Sequence, residues 1–161
     1  MKSSTRITAL AFLGLLILGI QAAEAQRKKK KRQEQLNTVV VTARSYIGTP
    51  YRFGGNNTSG IDCSGLIHNA YAAAGIKIPR TAKEQSKYGK SKDWSQIKTG
   101  DVVTFKFKEK REKWWHSGIV TKVGNSQVKF IHASSSRGVV EDNLTSDYYK
   151  KNVKRIRRII K

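Results

Sequence analysis

The sequence contains a single cysteine and only two prolines, and acidic residues are scarce in it. One cysteine, Cys63, cannot form a disulfide bond within the chain, so this thiol needs another reason to be present. The 11 acidic residues are set against 32 Lys and Arg residues, which gives a formal net charge of +21 over 161 residues. Such an excess favours anionic partners. The sequence carries no nucleic-acid-binding motif, however, and we expect no nucleic acid among them.

The chain also lacks an apolar run long enough to be a comfortable membrane span. Its mostly apolar stretch, residues 7–20, follows Lys2 and Arg6 and is followed by a small-residue motif at 23–25. This arrangement is typical of a secretory signal peptide. We therefore expect residues 1–25 to be removed. The product would have no stable membrane span and would be exported to the periplasm, the cell wall or the extracellular space.

Residues 26–35 are polar and strongly basic, with six consecutive Lys and Arg residues at 27–32. A block of like charges is typical of a disordered segment. We interpret these residues as a disordered arm that attaches the protein to anionic envelope polymers. Positive charges directly after an apolar run oppose the usual orientation of exported segments, but cleavage remains the favoured interpretation.

Cys63 lies where a glycine-rich loop is followed by a predicted helix. Apolar residues recur after it at helical spacing, at Leu66, Ile67, Ala70, Tyr71 and Ala74. Asp62 is a good N-cap for this helix, and Gly75 is a typical C-terminal stop. In the first turn of a helix, unpaired backbone N–H groups and the helix dipole stabilise a thiolate. Cys63 is therefore a candidate nucleophile, although many lone cysteines are simply small buried hydrophobes.

The predicted elements are helices first and strands afterwards. A helix is predicted at 36–47, the Cys63 helix follows, and a capping box from Thr81 to Glu84 opens a short third helix. The β-branched and aromatic segments typical of strands are 101–107, 115–123, 127–132 and 153–160. This order indicates an α+β fold in which the cysteine helix packs on an antiparallel sheet.

Two of the three histidines, His116 and His132, fall in neighbouring predicted strands. A hairpin loop with an odd number of residues pairs His132 with Gly118 and leaves His116 diagonally placed on the same face, ~7–8 Å away. An even loop separates the two imidazoles unless a bulge intervenes. His68 lies five residues after Cys63, away from the thiol's side of the helix, and is expected to be a surface or packing residue.

Six short segments, none of them specific alone, occur together in the chain. In order they are Gly48-Thr49-Pro50-Tyr51-Arg52-Phe53-Gly54-Gly55, Asp62-Cys63-Ser64-Gly65-Leu66, Pro79-Arg80-Thr81, Thr99-Gly100-Asp101-Val102-Val103, His116-Ser117-Gly118-Ile119-Val120 and Phe130-Ile131-His132-Ala133-Ser134. As a set they resemble the NlpC-type family of papain-like cell-wall cysteine peptidases, from about residue 40 to the end of the chain. The resemblance implies a papain-like fold, with residues 36–161 as the peptidase domain.

The resemblance also implies catalytic roles. Cys63 is the expected nucleophile, His116 the general base and acid, and His132 the group that orients His116. Tyr51 is similar to the family tyrosine whose hydroxyl helps to stabilise the oxyanion, together with the backbone N–H of Cys63.

Further residues match family positions that line the substrate groove. They are Asp62, Ser64 and Arg80, although Asp62 is also explained as a helix cap and Arg80 as a partner in a surface ion pair. Trp114 and Trp115 lie in a segment that is more charged and aromatic than the family pattern leads us to expect. They are interpreted either as the frame of the groove or as packing residues.

The implied reaction is hydrolysis of peptidoglycan stem peptides or their cross-links next to diaminopimelate, through a thioester acyl-enzyme. Two alternatives remain open: an amidase that cuts the sugar-to-peptide bond with the same chemistry, and a non-catalytic basic protein that binds envelope polymers. A zinc site formed by Cys63, His116 and His132 is a third alternative. Its ligands lack a pair three or four residues apart, so we expect neither a metal nor another cofactor.

Overall fold

The computed structural model of the chain describes residues 4–107 and 115–161, with side chains from residue 19 onward. The chain divides into two compact units, Met1–Glu34 and Gln35–Lys161. The second unit begins one residue before position 36, where the sequence places the start of the peptidase domain. No helix within the described ranges combines the length and the apolar character that crossing a membrane requires.

Helix α1 spans Ser4–Ser45 and therefore begins long before the helix predicted from residue 36. It includes residues 26–35, so the segment predicted to be a disordered arm is helical in the structure. Lys, Arg, Gln and Glu are good helix formers, and extending a helix from an existing turn is much easier than nucleating one. These local preferences outweigh the repulsion between like charges on which the expectation of disorder depended.

The last turns of α1 belong to the second unit and bury one side of the helix. Val39 and Ala43 are fully buried in the core that surrounds helix α2, Cys63–Ala73. The helix ends at Ser45, and Ile47, which the spacing predicts on its apolar face, is exposed beyond that end.

Helix α2 begins where the sequence predicts. Asp62 is its N-cap, and the carboxylate accepts a hydrogen bond of 2.6 Å from the backbone N–H of Gly65. Gly75 ends the helix with a φ of +73°, a conformation that side-chain-bearing residues rarely adopt. The loop before α2 contains a small antiparallel hairpin of β1, Asn56–Asn57, and β2, Gly60–Ile61. This hairpin leads the chain directly into the first turn of α2.

The predicted capping box opens the next helix, α3, Ala82–Gln85. The hydroxyl of Thr81 accepts a hydrogen bond from the backbone N–H of Glu84 and donates one of 2.7 Å to the Glu84 carboxylate. Strand β3, Lys90–Lys92, and a 3₁₀ turn at Trp94–Gln96 follow. Strand β3 was not predicted, because its three residues are polar and lack the β-branched or aromatic character of strands.

The remaining elements are strands and one short helix. They are β4, Val102–Phe105, β5, His116–Val123, β6, Val128–Ser134, β7, Gly138–Asn143, α4, Asp147–Lys150, and β8, Val153–Arg158. The sheet order is β3-β8-β4-β5-β6-β7, and every neighbouring pair is antiparallel. The predicted α+β class with an antiparallel sheet is confirmed. Strand β7 was missed, since three of its six residues are Glu141, Asp142 and Asn143.

Each face of the sheet carries its own apolar cluster. On one face Ile119 and Ile131 pack with the apolar side of α2. On the other face Val120 and Phe130 belong to a second cluster, which also contains Phe105. Neighbouring residues in a strand point to opposite faces. The sheet therefore has α2 on one side and the aromatic cluster on the other.

Candidate active site

A groove of about 1010 Å³ brings the predicted site residues together. Its lining contains all the residues that the sequence analysis singled out for catalysis and substrate binding, namely Tyr51, Asp62, Cys63, Ser64, Arg80, His116 and His132. Residues from both sides of the sheet line it, because the groove lies where strand β5 begins and the two apolar clusters approach each other. Trp115 also lines the groove, whereas Trp114 lies outside the described residues.

Cys63 is the first residue of α2, and it is 7% exposed. Burial raises the pKa of the Cys63 thiol, and the nearby Asp62 carboxylate raises it further. Hydrogen bonds from Ser117 and from the backbone of Ser64 oppose this effect but do not overcome it. The helix N-terminus alone therefore does not make Cys63 a thiolate. A neighbouring base has to accept the proton.

His116 and His132 form a hydrogen-bonded pair. His116 Nε2 lies 2.9 Å from His132 Nδ1, and the two rings meet edge to face with their centres 5.0 Å apart. His116 is the first residue of β5 and lines the groove together with Cys63. The arrangement gives a half-buried imidazole in the groove, hydrogen-bonded to a second, buried imidazole.

A β-bulge places the two histidines on one face. The loop between β5 and β6, residues 124–127, has an even number of residues, which by itself would separate them. The register shifts between Val120 and Lys122, however, so the pairing of Ile119 with Ile131 extends to put His132 opposite Gly118. The outcome is the second alternative of the sequence analysis, an even loop corrected by a bulge.

His132 is enclosed more completely than His116. It is 3% exposed, its ring stacks on Phe130 at 4.7 Å, and its Nε2 lies 3.0 Å from Asp142 Oδ2. Burial lowers the pKa of His132, and the hydrogen bond and charge of Asp142 only partly restore it. A neutral imidazole is therefore favoured at this position.

The sequence analysis missed the acidic partner of His132. Strands β6 and β7 pair His132 with Val140 and Phe130 with Asp142, so Asp142 is the diagonal neighbour of His132 on the same face. Prediction of strand β7 would have been needed to find it. Tyr149 in α4 was also missed. Its hydroxyl contacts both Asp142 and His132, but these contacts depend on the tertiary fold and leave no local signal in the sequence.

Tyr51 is held beside the hairpin that leads into α2. It forms an isolated bridge with Ile61, while the carbonyl of Pro50 and the N–H of Arg52, on either side of it, are hydrogen-bonded to the Ile61 backbone. Ile61 is two residues before Cys63, so this bridge fixes the backbone of the tyrosine against the segment that carries the nucleophile. The side chain lines the groove.

Asp62 and Arg80, which both line the groove, form an ion pair with two hydrogen bonds. Arg80 Nη1 donates to Asp62 Oδ1 at 2.9 Å and Nη2 donates to Oδ2 at 3.1 Å. The same carboxylate accepts hydrogen bonds from the backbone N–H of Gly54 and from the hydroxyl of Ser64. Although burial alone would raise the pKa of Asp62, Arg80 and the other donors lower it. This network joins the glycine-rich loop to the first turn of α2.

Gln85 is a second polar support that the sequence analysis missed. Its side chain is fully buried, and its Nε2 donates to the carbonyls of Ser64 and Pro79 at 3.0 and 2.9 Å. Its Oε1 accepts a hydrogen bond of 3.2 Å from the hydroxyl of Ser117. Gln85 thus connects α3 to the turn that carries Cys63 and to the strand that carries His116.

The outer part of the groove combines aromatic and cationic side chains. Phe53, Phe107, Trp115, Tyr148 and Tyr149 contribute the aromatic surface. Lys83 lines the groove, and the charged ends of Lys106 and Arg155 lie 4.9 and 5.8 Å from the ring centre of Trp115. Within residues 4–107 and 115–161, no three His, Cys, Asp or Glu side chains are grouped so that they could hold a metal ion.

Sequence comparison matches the NlpC/P60 family to residues 48–158. Murein DD-endopeptidase MepS/Murein LD-carboxypeptidase of Escherichia coli K12 is 32% identical over 150 residues, which is 89% of this chain and 76% of that protein. A probable endopeptidase of Haemophilus influenzae is 36% identical over 115 residues, 71% of this chain and 68% of that protein. The gamma-D-glutamyl-L-lysine dipeptidyl-peptidase of Bacillus subtilis is 31% identical over 121 residues, 74% of this chain and 40% of that protein.

Solved structures have the same fold. An NlpC/P60 family protein of Bacillus cereus superimposes with a TM-score of 0.68 at 27% identity, covering 78% of this chain and 40% of that one. An NLP/P60 family protein of Staphylococcus aureus gives a TM-score of 0.67 at 32% identity, covering 80% of this chain and 42% of that one. The chain therefore spans about two fifths of each of these structures. The NlpC/p60 domain of the peptidoglycan hydrolase SagA gives 0.62 at 26% identity, covering 76% of this chain and 97% of that domain.

Proposed function

The chain belongs to the NlpC/P60 family and is a cysteine peptidase, and from this premise we propose that it hydrolyses amide bonds of peptidoglycan stem peptides or their cross-links next to diaminopimelate. The observation that carries the proposal is that the lone thiol of Cys63 and the hydrogen-bonded His116–His132 pair line the same groove. The murein endopeptidase and glutamyl-lysine peptidase names of the relatives support the choice of substrate.

The proposed reaction begins with transfer of the Cys63 thiol proton to His116. The thiolate attacks the carbonyl carbon of the scissile amide, and the oxyanion is stabilised by the Tyr51 hydroxyl and the backbone N–H of Cys63. Collapse of this intermediate breaks the C–N bond, and the His116 imidazolium gives its proton to the leaving amine. A water molecule, deprotonated by His116, then hydrolyses the thioester and releases Cys63.

The environment of each group supports its role in this sequence. Burial raises the pKa of Cys63, so a base is needed, and His116 is the more exposed of the two imidazoles that line the groove with it. His132 is buried and lies 2.9 Å from His116, which supports the role of a third triad member that orients the base. The network of Asp62, Ser64 and Arg80 holds the wall on which a stem peptide would lie.

The shape of the groove supports an extended peptide rather than a folded protein as the substrate. The groove is open and rimmed by Phe53, which is 77% exposed, and by the aromatic residues of the opposite wall. A thin peptide with alternating D and L residues can lie along it, whereas a protein chain would first have to unfold locally.

Export of the protein is part of the proposal. The segment at residues 7–20 and the motif at 23–25 support a cleaved signal peptide. The net charge of +21 supports attachment to anionic envelope polymers, with the basic segment 27–32 as the main contact.

Digestion of purified peptidoglycan tests the reaction directly. We expect the protein to release peptides whose new ends flank diaminopimelate, as measured by mass spectrometry, and the Cys63→Ala variant to release none. Intact stems freed from the sugar would support an amidase instead. The absence of new products from walls of different stem composition would contradict the enzyme proposal and favour a binding protein.

A further inference from the structure

Asp142 forms the end of a line of polar groups that starts at the groove. Its Oδ2 lies 3.0 Å from His132 Nε2, and the other nitrogen of that ring, Nδ1, lies 2.9 Å from His116 Nε2. Asp142 belongs to none of the sequence segments that resemble the family. It does not line the groove itself.

We propose that Asp142 is a positioning residue, which fixes the tautomer of His132 and, through it, the tautomer of His116, so that His116 presents the lone pair of Nδ1 to Cys63. The inference rests on the proposed function only for the identity of the reaction that this arrangement serves.

The tautomers follow from the donors and acceptors along the line. An ionised carboxylate can only accept hydrogen bonds, so His132 Nε2, which faces Asp142, carries a proton. In a neutral ring the lone pair is then on Nδ1, which accepts a hydrogen bond from the Nε2–H of His116. The remaining nitrogen of His116, Nδ1, holds its own lone pair and acts as the base.

The opposite tautomers of His132 and His116, each protonated on Nδ1, would prevent His116 from acting as the base. If His132 carried its proton on Nδ1, that N–H would point at His116 Nε2 and the proton of His116 would lie on Nδ1. His116 would then face the thiol with a donor instead of a lone pair. The carboxylate of Asp142 excludes this arrangement, because it leaves a negative charge next to an unprotonated Nε2.

The surroundings of Asp142 keep it ionised and in place. Arg137 donates from Nη1 to Oδ1 at 3.2 Å and also binds Oδ2 through Nη2, and the Tyr149 hydroxyl donates to Oδ2 at 2.6 Å. Burial alone would raise the pKa of Asp142, but the hydrogen bonds from Arg137, Tyr149 and His132 hold it well below its usual range. Among the side chains that the structure describes, the charged or titratable groups hydrogen-bonded to the His132–Asp142 pair are Arg137, Tyr149 and His116.

The ring of His132 is also held sterically. Phe130 stacks on it at 4.7 Å with an angle of 9° between the planes, and Tyr149 meets both rings edge-on. This packing restricts the ring plane but does not distinguish its nitrogens, since an aromatic surface makes no hydrogen bond to either. The Tyr149 hydroxyl also lies 3.2 Å from His132 Nε2, but it donates its proton to Asp142 Oδ2 and so can only accept from that nitrogen, which favours the same tautomer. The choice of tautomer therefore depends on the Asp142 carboxylate and on the hydroxyl that it orients.

The first experiment measures the tautomers without any substrate. In ¹⁵N-labelled protein above the titration range of the histidines, two-bond ¹⁵N–¹H spectra should show both His116 and His132 protonated on Nε2. In the Asp142→Ala variant, His132 should lose this single tautomer and give shifts averaged between the two forms. A parent protein with His132 protonated on Nδ1, or an Asp142→Ala variant with unchanged shifts, would overturn the inference.

The second experiment measures the reactivity of Cys63, the only thiol in the chain. Alkylation by iodoacetamide at pH 7 should be slower in Asp142→Ala than in the parent by about 3–10-fold, because His116 remains but presents its lone pair to Cys63 only part of the time, and this loss should be smaller than that caused by removing His116 itself. Asp142→Asn retains an oxygen that can accept from His132 and should lose less, with the acidic limb of the pH profile moved to lower pH because the negative charge is gone. Equal alkylation rates in the parent and in a normally folded Asp142→Ala variant would contradict the proposal.

Glu141→Gln is the matched control. Glu141 is the neighbouring residue of the same strand, points to the opposite face and pairs with Arg44 at 2.8 Å. Its replacement removes an acidic group and an ion pair of the same kind but should leave alkylation unchanged. Failure of the proposed function would be visible separately, because it would leave the tautomers and the thiol reactivity as described while no peptidoglycan product forms.

Discussion

Burial decides how Cys63 loses its proton. A helix N-terminus stabilises an adjacent negative charge by roughly 0.3–1 kcal/mol, whereas removal of a thiolate from water disfavours it more strongly, and the pKa of Cys63 is raised as a result. A buried, protonated thiol is unreactive until a base approaches it. The reactivity of Cys63 therefore depends on His116 and not on its helix position alone.

This dependence predicts the effect of His116→Ala on the alkylation of Cys63. At pH 7 the variant should react with iodoacetamide more slowly than the parent, on the order of 10-fold or more, and its rate should rise only above the pH at which a free thiol of pKa ~8.5 ionises. Rates measured between pH 5 and 10 by mass spectrometry check both statements.

His68→Ala provides the control for this prediction. His68 lies on α2 like Cys63, but its Nδ1 is hydrogen-bonded to the carbonyl of Ile78 at 3.0 Å, and it does not line the groove. Its removal should leave the pH profile unchanged. Profiles of His116→Ala and the parent that coincide would show that another group takes the proton.

At the scale of the elements, sequence patterns found what is local and missed what depends on pairing between distant strands. The start of α2 was predictable because Asp62, Cys63 and the apolar residues after them are contiguous in the chain. The juxtaposition of His116 and His132 stayed open, since it depends on a bulge that no local pattern marks. Asp142 was missed because strand β7 is polar and is stabilised by its pairing with β6 rather than by its own propensity.

The junction of the glycine-rich loop with α2 depends on the Asp62 carboxylate. Folding lowers the pKa of Asp62, so its charge contributes stability that is present above the unfolded pKa of ~3.9 and is lost as the pH falls through the lower folded pKa. We predict that Asp62→Asn lowers the free energy of unfolding at pH 7 by about 2 kcal/mol, through the loss of the Arg80 ion pair and of the negative charge at the start of α2.

Urea unfolding of parent and variant at several pH values measures this contribution. The difference between them should be largest near neutral pH and should shrink below pH ~4, where Asp62 of the unfolded parent takes up a proton, and it should vanish below the lower pKa of the folded state. Asp93→Asn is the control, because Asp93 is the N-cap of the 3₁₀ turn, is exposed and makes no side-chain capping bond there. A difference that persists unchanged into acid would mean that the carboxylate charge is not what stabilises the junction.

At the scale of the whole molecule, the two apolar clusters of the second unit place the site between them. Cys63 and Trp115 pack with the cluster on the α2 face, whereas Phe107 and Tyr149 pack with the cluster on the other face. All four residues line the same groove. The groove is therefore bounded by residues that pack with both clusters, and Gln85 adds hydrogen bonds that join α3, the first turn of α2 and strand β5 on the α2 face.

The excess of positive charge is also a property of the whole molecule, and it predicts a salt-dependent association with cell walls. The six basic residues at 27–32 lie in helix α1, outside the unit that contains the groove. Replacing them all with Gln preserves helix propensity and removes the charge. Sedimentation with purified walls should then weaken at low salt and differ little from the parent above 0.5 M salt, where exposed charges are screened within roughly 4 Å.

Turnover of a small soluble stem peptide separates attachment from catalysis in the same variant. It should be unchanged, since no residue of 27–32 lines the groove. A variant in which residues 26–35 are reordered at constant composition should bind walls like the parent, because attraction between a charged helix and an anionic polymer depends on the number of charges more than on their order. Loss of peptide turnover to the same extent as loss of wall binding would show instead that the basic segment belongs to the catalytic unit.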